Sequence, residues 1–243
     1  MVAAAILALT LLNSGLSIPQ FFLVLALMNA AVAVYIYTLL PEFLMRFIVW
    51  ILVNTLYRIR TDGRDNVPPR GPAILVCNHV SFVDALIIGG SIRRPVRFVM
   101  YFRIFEIPLL RFLFRTAKAI PIAPSRENEK LLAEAFDKID AELAAGNLIC
   151  VFPEGGITRD GHVHSFRPGI EKIVARRPVP VVPVALSGLW GSWFSRNAGG
   201  GLRRIPGRLF ARVHVRIGAP VMAADVTARG LELLVRTLRG MQR

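Results

Sequence analysis

His79 and Asp84, five residues apart in Asn78-His79-Val80-Ser81-Phe82-Val83-Asp84, are the side chains of this sequence best suited to acid/base chemistry. An imidazole exchanges a proton near neutral pH, and a carboxylate beside it fixes its tautomer and stabilises the cation that forms. Along an unbroken α-helix that spacing would turn the two side chains roughly 140° apart, so contact requires a turn between them. The flanking residues supply one. Ala73-Ile74-Leu75-Val76-Cys77 reads as a short buried strand, Ser81-x-x-Asp84 as a helix start, and Ala85-Leu86-Ile87-Ile88 as the apolar run that follows. Ser81 and Asp84 also make a capping box on their own, a purely structural reading that leaves Asn78-His79 unexplained. Ser81 is placed for a cap and not for covalent chemistry.

A second junction follows the strand pattern Asn147-Leu148-Ile149-Cys150-Val151-Phe152, where Pro153-Glu154-Gly155 sets an acid and backbone N–H groups in a loop, the usual place for ligand groups. Together, Asn-His-x-Ser-x-x-Asp and Phe-Pro-Glu-Gly some seventy residues later resemble the lysophospholipid acyltransferase family, which makes phosphatidic acid from 1-acylglycerol 3-phosphate. The resemblance runs from about Leu56 to Ala219 and takes in Ile120-Pro121-Ile122 and Val181-Val182-Pro183-Val184-Ala185-Leu186.

That resemblance implies an O-acyltransferase that moves a fatty acyl group from a thioester of acyl carrier protein or coenzyme A to a lysophospholipid hydroxyl. No cofactor is implied beyond that co-substrate. It makes His79 the base, Asp84 the group that orients it, and Glu154 and Gly155 the binders of the glycerophosphate. Thr158, Arg159, Asn78, Ser81 and Arg126 complete the candidate substrate-binding set. Two departures from the family pattern matter. Gly156-Ile157 intervene before Thr158-Arg159, and Ala123-Pro124-Ser125 precede Arg126, so Arg159 ranks above Arg126 as the phosphate ligand. The longer Glu-Gly-Gly-Ile-Thr-Arg-Asp-Gly form resembles the branch fused to a lysophospholipid transporter, which makes 2-acylglycerophosphoethanolamine the alternative acceptor. A non-catalytic, lipid-binding remnant of such a transporter is the reading from a different class.

The elements that position these residues divide the 243-residue chain unevenly. Met1 to Pro41 carries no charged side chain, and Gln20 to Leu40 is long enough to cross a hydrocarbon core, which takes about 20 residues. Val2 to Leu12 is short for a span and is followed by Asn13-Ser14-Gly15 and Pro19, so residues 1–41 form one membrane helix or a helical hairpin. No basic residue precedes the apolar run and no small-x-small site closes it, so the segment is expected to be retained. Residues 42–60 are expected to lie in the interface as an amphipathic helix, because Arg46 at mid-bilayer would cost about 2.5–3.5 kcal/mol. A core helix of the following domain is the other reading of that stretch.

The +14 formal charge falls after Pro41, and Arg46, Arg58, Arg60, Arg64 and Arg70 lie beside the apolar segment. By the positive-inside rule, residues 61–243 form a cytoplasmic acyltransferase domain on the inner (cytoplasmic) membrane. The expected partners are the phospholipid bilayer, a lysophospholipid and the acyl carrier protein or acyl-CoA donor. A pI near 11.2 also suits a nucleic-acid binder. Here, however, Arg103, Arg111, Arg115 and Lys118 are interleaved with Phe102, Phe105, Phe112 and Phe114, a mixture for lipid and not for a polar phosphate groove.

Strand and helix patterns alternate to about Leu186, which predicts an α/β fold, a mixed sheet flanked by helices. Ser125 reads as the cap of a helix closed by Gly146, and Arg212-Val213-His214-Val215-Arg216-Ile217 as an edge strand with His214 on the surface. Leu189-Trp190-Gly191-Ser192-Trp193-Phe194 either dips into the interface or caps the core. The two cysteines, Cys77 and Cys150, read as small buried hydrophobes. His162-x-His164 has no further His or Cys nearby, so no metal site is expected. The stretch Phe98 to Phe114 is the candidate for an acyl-chain groove.

Overall fold

A computed structural model describes residues 17–39, 41–192, 194–195 and 210–240. Val2 to Leu12, Trp193 and the Gly199-Gly200-Gly201 run lie outside the described residues. The chain divides into two compact units, Met1–Leu44 and Met45–Arg243.

In the first unit, helix α1 (Ile18–Leu39) has 22 residues and no charged side chain. At about 1.5 Å per residue it reaches roughly 33 Å, enough for a hydrocarbon core of about 30 Å. Among the described residues it is the one helix long and apolar enough to cross a membrane. Helix α2 (Pro41–Leu56) starts in this unit and continues into the second.

The second unit is built on seven strands: β1 (Tyr57–Asp62), β2 (Ala73–Cys77), β3 (Val96–Tyr101), β4 (Ile120–Ile122), β5 (Leu148–Val151), β6 (Val181–Ser187) and β7 (Ala211–Ile217). Their order is β1-β7-β6-β2-β5-β3-β4. All neighbours are parallel except β6 and β7, so the sheet is mixed. Among the described residues five further α-helices belong to this unit: α3 (Asp84–Ser91), α4 (Pro108–Thr116), α5 (Glu129–Ala144), α6 (Gly169–Arg176) and α7 (Ala228–Gly240).

Strands β2, β5 and β6 are buried along their whole length, because both faces of the sheet are covered. Alternate residues feed two cores. Leu75 and Cys77 pack with Val53 of α2 and Ile87 and Ile88 of α3, whereas Ile74 and Val76 pack with Ile139 of α5, Ile173 of α6 and Val235 of α7. Strands β2 and β5 are parallel neighbours in the register Leu75 to Cys150. The chain therefore leaves both at the same carboxyl edge, where open α/β sheets meet their ligands.

Four elements differ from the sequence-based expectation. The helix expected over 42–60 ends at Leu56, and Tyr57–Asp62 pairs as β1. Val53 is buried against α3 while Phe47, Trp50 and Leu52 stay exposed, so α2 packs on the domain with one apolar face and leaves another uncovered. Strand β7 is not an edge: it lies between β1 and β6, and its alternation arises because Val213 and Val215 are buried while Arg212 stays exposed and His214 and Arg216 are half-buried, Arg216 donating to Leu238 O of α7 at 3.1 Å. Helix α5 is capped by Asn128, whose side chain accepts from Leu131 N–H at 2.9 Å, because Pro124 to Asn128 first closes a turn. The expected stop at Gly146 is there, with φ at 79°. Helix α7 had no counterpart in the sequence reading.

Candidate active site

The turn between β2 and α3 brings His79 and Asp84 together. Imidazole Nδ1 lies 2.8 Å from Asp84 Oδ2, which also accepts the backbone N–H groups of Val80 at 2.6 Å and Ser81 at 2.9 Å. All three donors converge on Oδ2, so Nδ1 is the ring nitrogen engaged by the carboxylate and Nε2 the one left for a substrate. Asp84 is fully buried, whereas the His79 side chain is 22% exposed, so the imidazole and not the carboxylate is the partner open to the surface. The ring stacks on Phe152 with centroids 4.3 Å apart. Burial, with Asp84 nearby, pushes the Tyr57 phenol up to about 12.

Asn78 is buried and holds the end of β2 to β6: its amide donates to Leu186 O at 3.1 Å and accepts from Leu186 N–H at 2.8 Å. Ser81 forms no side-chain cap on α3. Its hydroxyl donates to Phe194 O at 2.9 Å, and Phe82 N–H reaches the same carbonyl at 3.2 Å, so Phe194 is laced onto the histidine turn. Half of the capping box does form, since Asp84 accepts Ser81 N–H. Leu189 is fully buried and Trp190 packs against the same core, which caps this side of the sheet.

The loop after β5 reaches back to this turn. Glu154 is 8% exposed, and its Oε1 accepts His79 N–H at 2.8 Å while its Oε2 accepts His164 N–H at 2.9 Å. Burial holds the Glu154 carboxyl above the ordinary carboxylate range in spite of these two donors. Thr158 N–H donates to His79 O at 2.9 Å, and the Thr158 hydroxyl is taken by Asp160 Oδ1 at 2.8 Å. The N–H of His162 and the Thr158 hydroxyl hold the Asp160 carboxyl down to about 2. Thr158 thus shapes a turn that displays Arg159, which is exposed. A Cβ on Gly161 would sit 2.7 Å from the Trp190 ring, so this turn closes only with glycine.

Arg126 is not brought to this cluster. It is exposed in the turn after β4, three strand positions from β2, or roughly 14 Å along the sheet. Two cations that the sequence reading missed do join the loop. Arg167 packs on Gly155, where a Cβ would lie 2.6 Å from its guanidinium carbon, and Arg239 of α7 donates to Gly161 O. The positive φ of Gly155, 73°, disfavours any other residue there, and a side chain would also displace the guanidinium. Cys77 and Cys150 are fully buried, and burial pushes both thiols up, so neither is a nucleophile.

Fold and site together describe a mixed α/β sheet with a carboxylate-oriented imidazole at its carboxyl edge. The chain belongs to the acyltransferase family, whose pattern matches residues 58–187 and includes both junctions. It is 28% identical over 148 residues to a chloroplastic 1-acyl-sn-glycerol-3-phosphate acyltransferase of Arabidopsis thaliana, covering 60% of this chain and 41% of that protein. A 1-acyl-sn-glycerol-3-phosphate acyltransferase of Chlamydomonas reinhardtii is 29% identical over 204 residues, covering 82% and 59%. The chain thus spans about half the length of these curated relatives. The crystal structure of PlsC, the 1-acyl-sn-glycerophosphate acyltransferase of Thermotoga maritima, shares the fold with a TM-score of 0.58 at 24% identity, over 75% of this chain and 71% of that one.

Proposed function

We propose that this protein is a membrane-bound acyltransferase that transfers a fatty acyl group from acyl-ACP or acyl-CoA to the free hydroxyl of 1-acylglycerol 3-phosphate, giving phosphatidic acid. The observation that carries this reading is the 2.8 Å contact of His79 Nδ1 with buried Asp84, in a chain of the acyltransferase family. His79 Nε2 takes the proton of the lysophospholipid hydroxyl as its oxygen attacks the thioester carbonyl. The C–S bond then breaks and the thiolate leaves with the proton returned by the imidazolium, so the step balances without an acyl-enzyme, metal or cofactor. Asp84 keeps the tautomer and offsets the transient charge.

Arg159, displayed at the tip of its turn, and Arg167, beside Gly155, are the cations this loop offers the acceptor's phosphate. Helix α1 supports a membrane location, and the arginines from Arg46 to Arg70 support a cytoplasmic face for the domain. The region 61–243 serves as the catalytic domain in this reading. The Gly156-Ile157 insertion favours 2-acylglycerophosphoethanolamine as the second acceptor to be tried.

The test is mass spectrometry of products after membranes bearing the protein are incubated with acyl-ACP or acyl-CoA and mixed lysolipids. Phosphatidic acid as the main product supports the reading, and acylation of the ethanolamine lipid alone moves it to the second acceptor. Lipid binding without thioester turnover would leave only a non-catalytic lipid-binding protein.

A further inference from the structure

We infer that Glu154 is a positioning residue for His79 and not a ligand of the acceptor's phosphate. This rests on the base role given to His79 above. Carboxyl oxygens that accept backbone N–H groups have neither a proton nor a free lone pair aimed at a phosphate. Both Glu154 oxygens already have such donors, the N–H groups of His79 at 2.8 Å and His164 at 2.9 Å, and the side chain is buried.

The histidine is gripped from both sides by one loop. Its N–H goes to Glu154 and its C=O accepts Thr158 N–H at 2.9 Å, while its ring lies on Phe152 at the end of β5. Asp84 therefore fixes the tautomer and rotation of the imidazole, and Glu154 fixes where the main chain holds it. His164 at the other end of the loop is bound to the same carboxylate, so Glu154 also sets the span of the segment that displays Arg159. The phosphate is left to guanidinium groups, of which Arg167 packs directly on the neighbouring Gly155.

The test uses the full-length protein in mixed micelles. Glu154→Gln keeps the shape but turns one acceptor into a donor facing an N–H, and should lower kcat by about 10–100-fold with KM for 1-acylglycerol 3-phosphate within about threefold. Glu154→Asp, one methylene too short to reach both N–H groups, should show the same split. A rise of tenfold or more in KM with kcat retained would make Glu154 a substrate ligand, and unchanged kinetics in both variants would equally overturn the inference.

Hydrogen exchange of the wild-type protein avoids any loss of folding in the variants. The amides of His79 and His164 should stay protected when saturating 1-acylglycerol 3-phosphate is added without donor. Release of those amides on lipid addition overturns the inference, since a carboxylate recruited to substrate must let them go. Should the wild type acylate no lysolipid, the proposed activity fails by itself. Selective loss of amide protection at His79 in Glu154→Gln would still report the grip, and unchanged protection there would refute it.

Discussion

Two turns leave the same edge of one sheet and are built in opposite ways. The turn after β2 is tied at every step: Asn78 to Leu186, His79 to Glu154 and Thr158, Val80 and Ser81 to Asp84. The turn after β4 exposes Arg126, and nearby Glu127 binds Tyr101 and Arg103 at the surface. Proton transfer tolerates little misplacement of the reacting atoms, so it belongs where the main chain is held from both sides. A long cation exposed on a surface turn suits a lipid surface, where distance and orientation vary.

The largest effect should come from the tied turn. His79→Ala should lower single-turnover acyl transfer by at least about 10²–10⁴-fold, with unchanged circular dichroism, and retained transfer would remove the base from the scheme. Asp84→Asn should be nearly as damaging because it favours the wrong tautomer. It should also cost about 1–3 kcal/mol of stability by leaving buried donors unpaired, measurable as a lower unfolding midpoint in detergent.

The exposed arginines should answer more weakly. Arg159→Ala should raise KM for the phosphate-bearing acceptor by about tenfold, and Arg126→Ala by less than about threefold. An Arg126 effect exceeding that of Arg159 would place the phosphate nearer the turn after β4 than the loop that grips the tied turn. Phe105→Ala, which removes a half-buried ring 5.5 Å from Phe114, should shift preference between donors by about fourfold per methylene if the acyl chain lies there. An unchanged chain-length profile would place the groove elsewhere.

The smallest effect concerns pH. Because the Glu154 carboxyl is raised in the folded protein, its favourable contribution is complete below the ordinary value of 4.5 and is lost as pH climbs through the folded value. Wild-type stability should therefore decline relative to Glu154→Gln as pH rises from 4.5 towards neutrality, as followed by thermal unfolding of both proteins. A difference that stayed constant would show that burial does not govern this carboxyl.

What the sequence disclosed follows from how local the cause is. Strands β2, β5 and β6 are legible because burial on both faces demands unbroken apolar runs. The meeting of His79 and Asp84 needs one turn, and the residues between them advertise it. Strand β1 was hidden because Arg58 and Arg60 alternate with Ile59 beside an apolar helix, and its pairing with β7 joins residues more than 150 positions apart. Helix α7 carries Leu231, Leu234, Val235 and Leu238 at helical spacing, a signal present in the chain but absent from the reading. Arg239 was lost with it. The aim of the Glu154 carboxylate could not be read at all, since its acceptor role depends on which amides the folded chain delivers to it.

Helix α3 begins with Asp84 and is only eight residues long, about 12 Å. Its far end is sewn to α2, where Arg46 donates to Arg93 O at 2.9 Å and Val53 fills the space that Gly90 leaves by lacking a Cβ. One end thus carries the carboxylate that orients the imidazole, and the other is fastened to a helix whose Phe47, Trp50 and Leu52 stand bare, so the catalytic turn and the greasy flank are only about two helical turns apart.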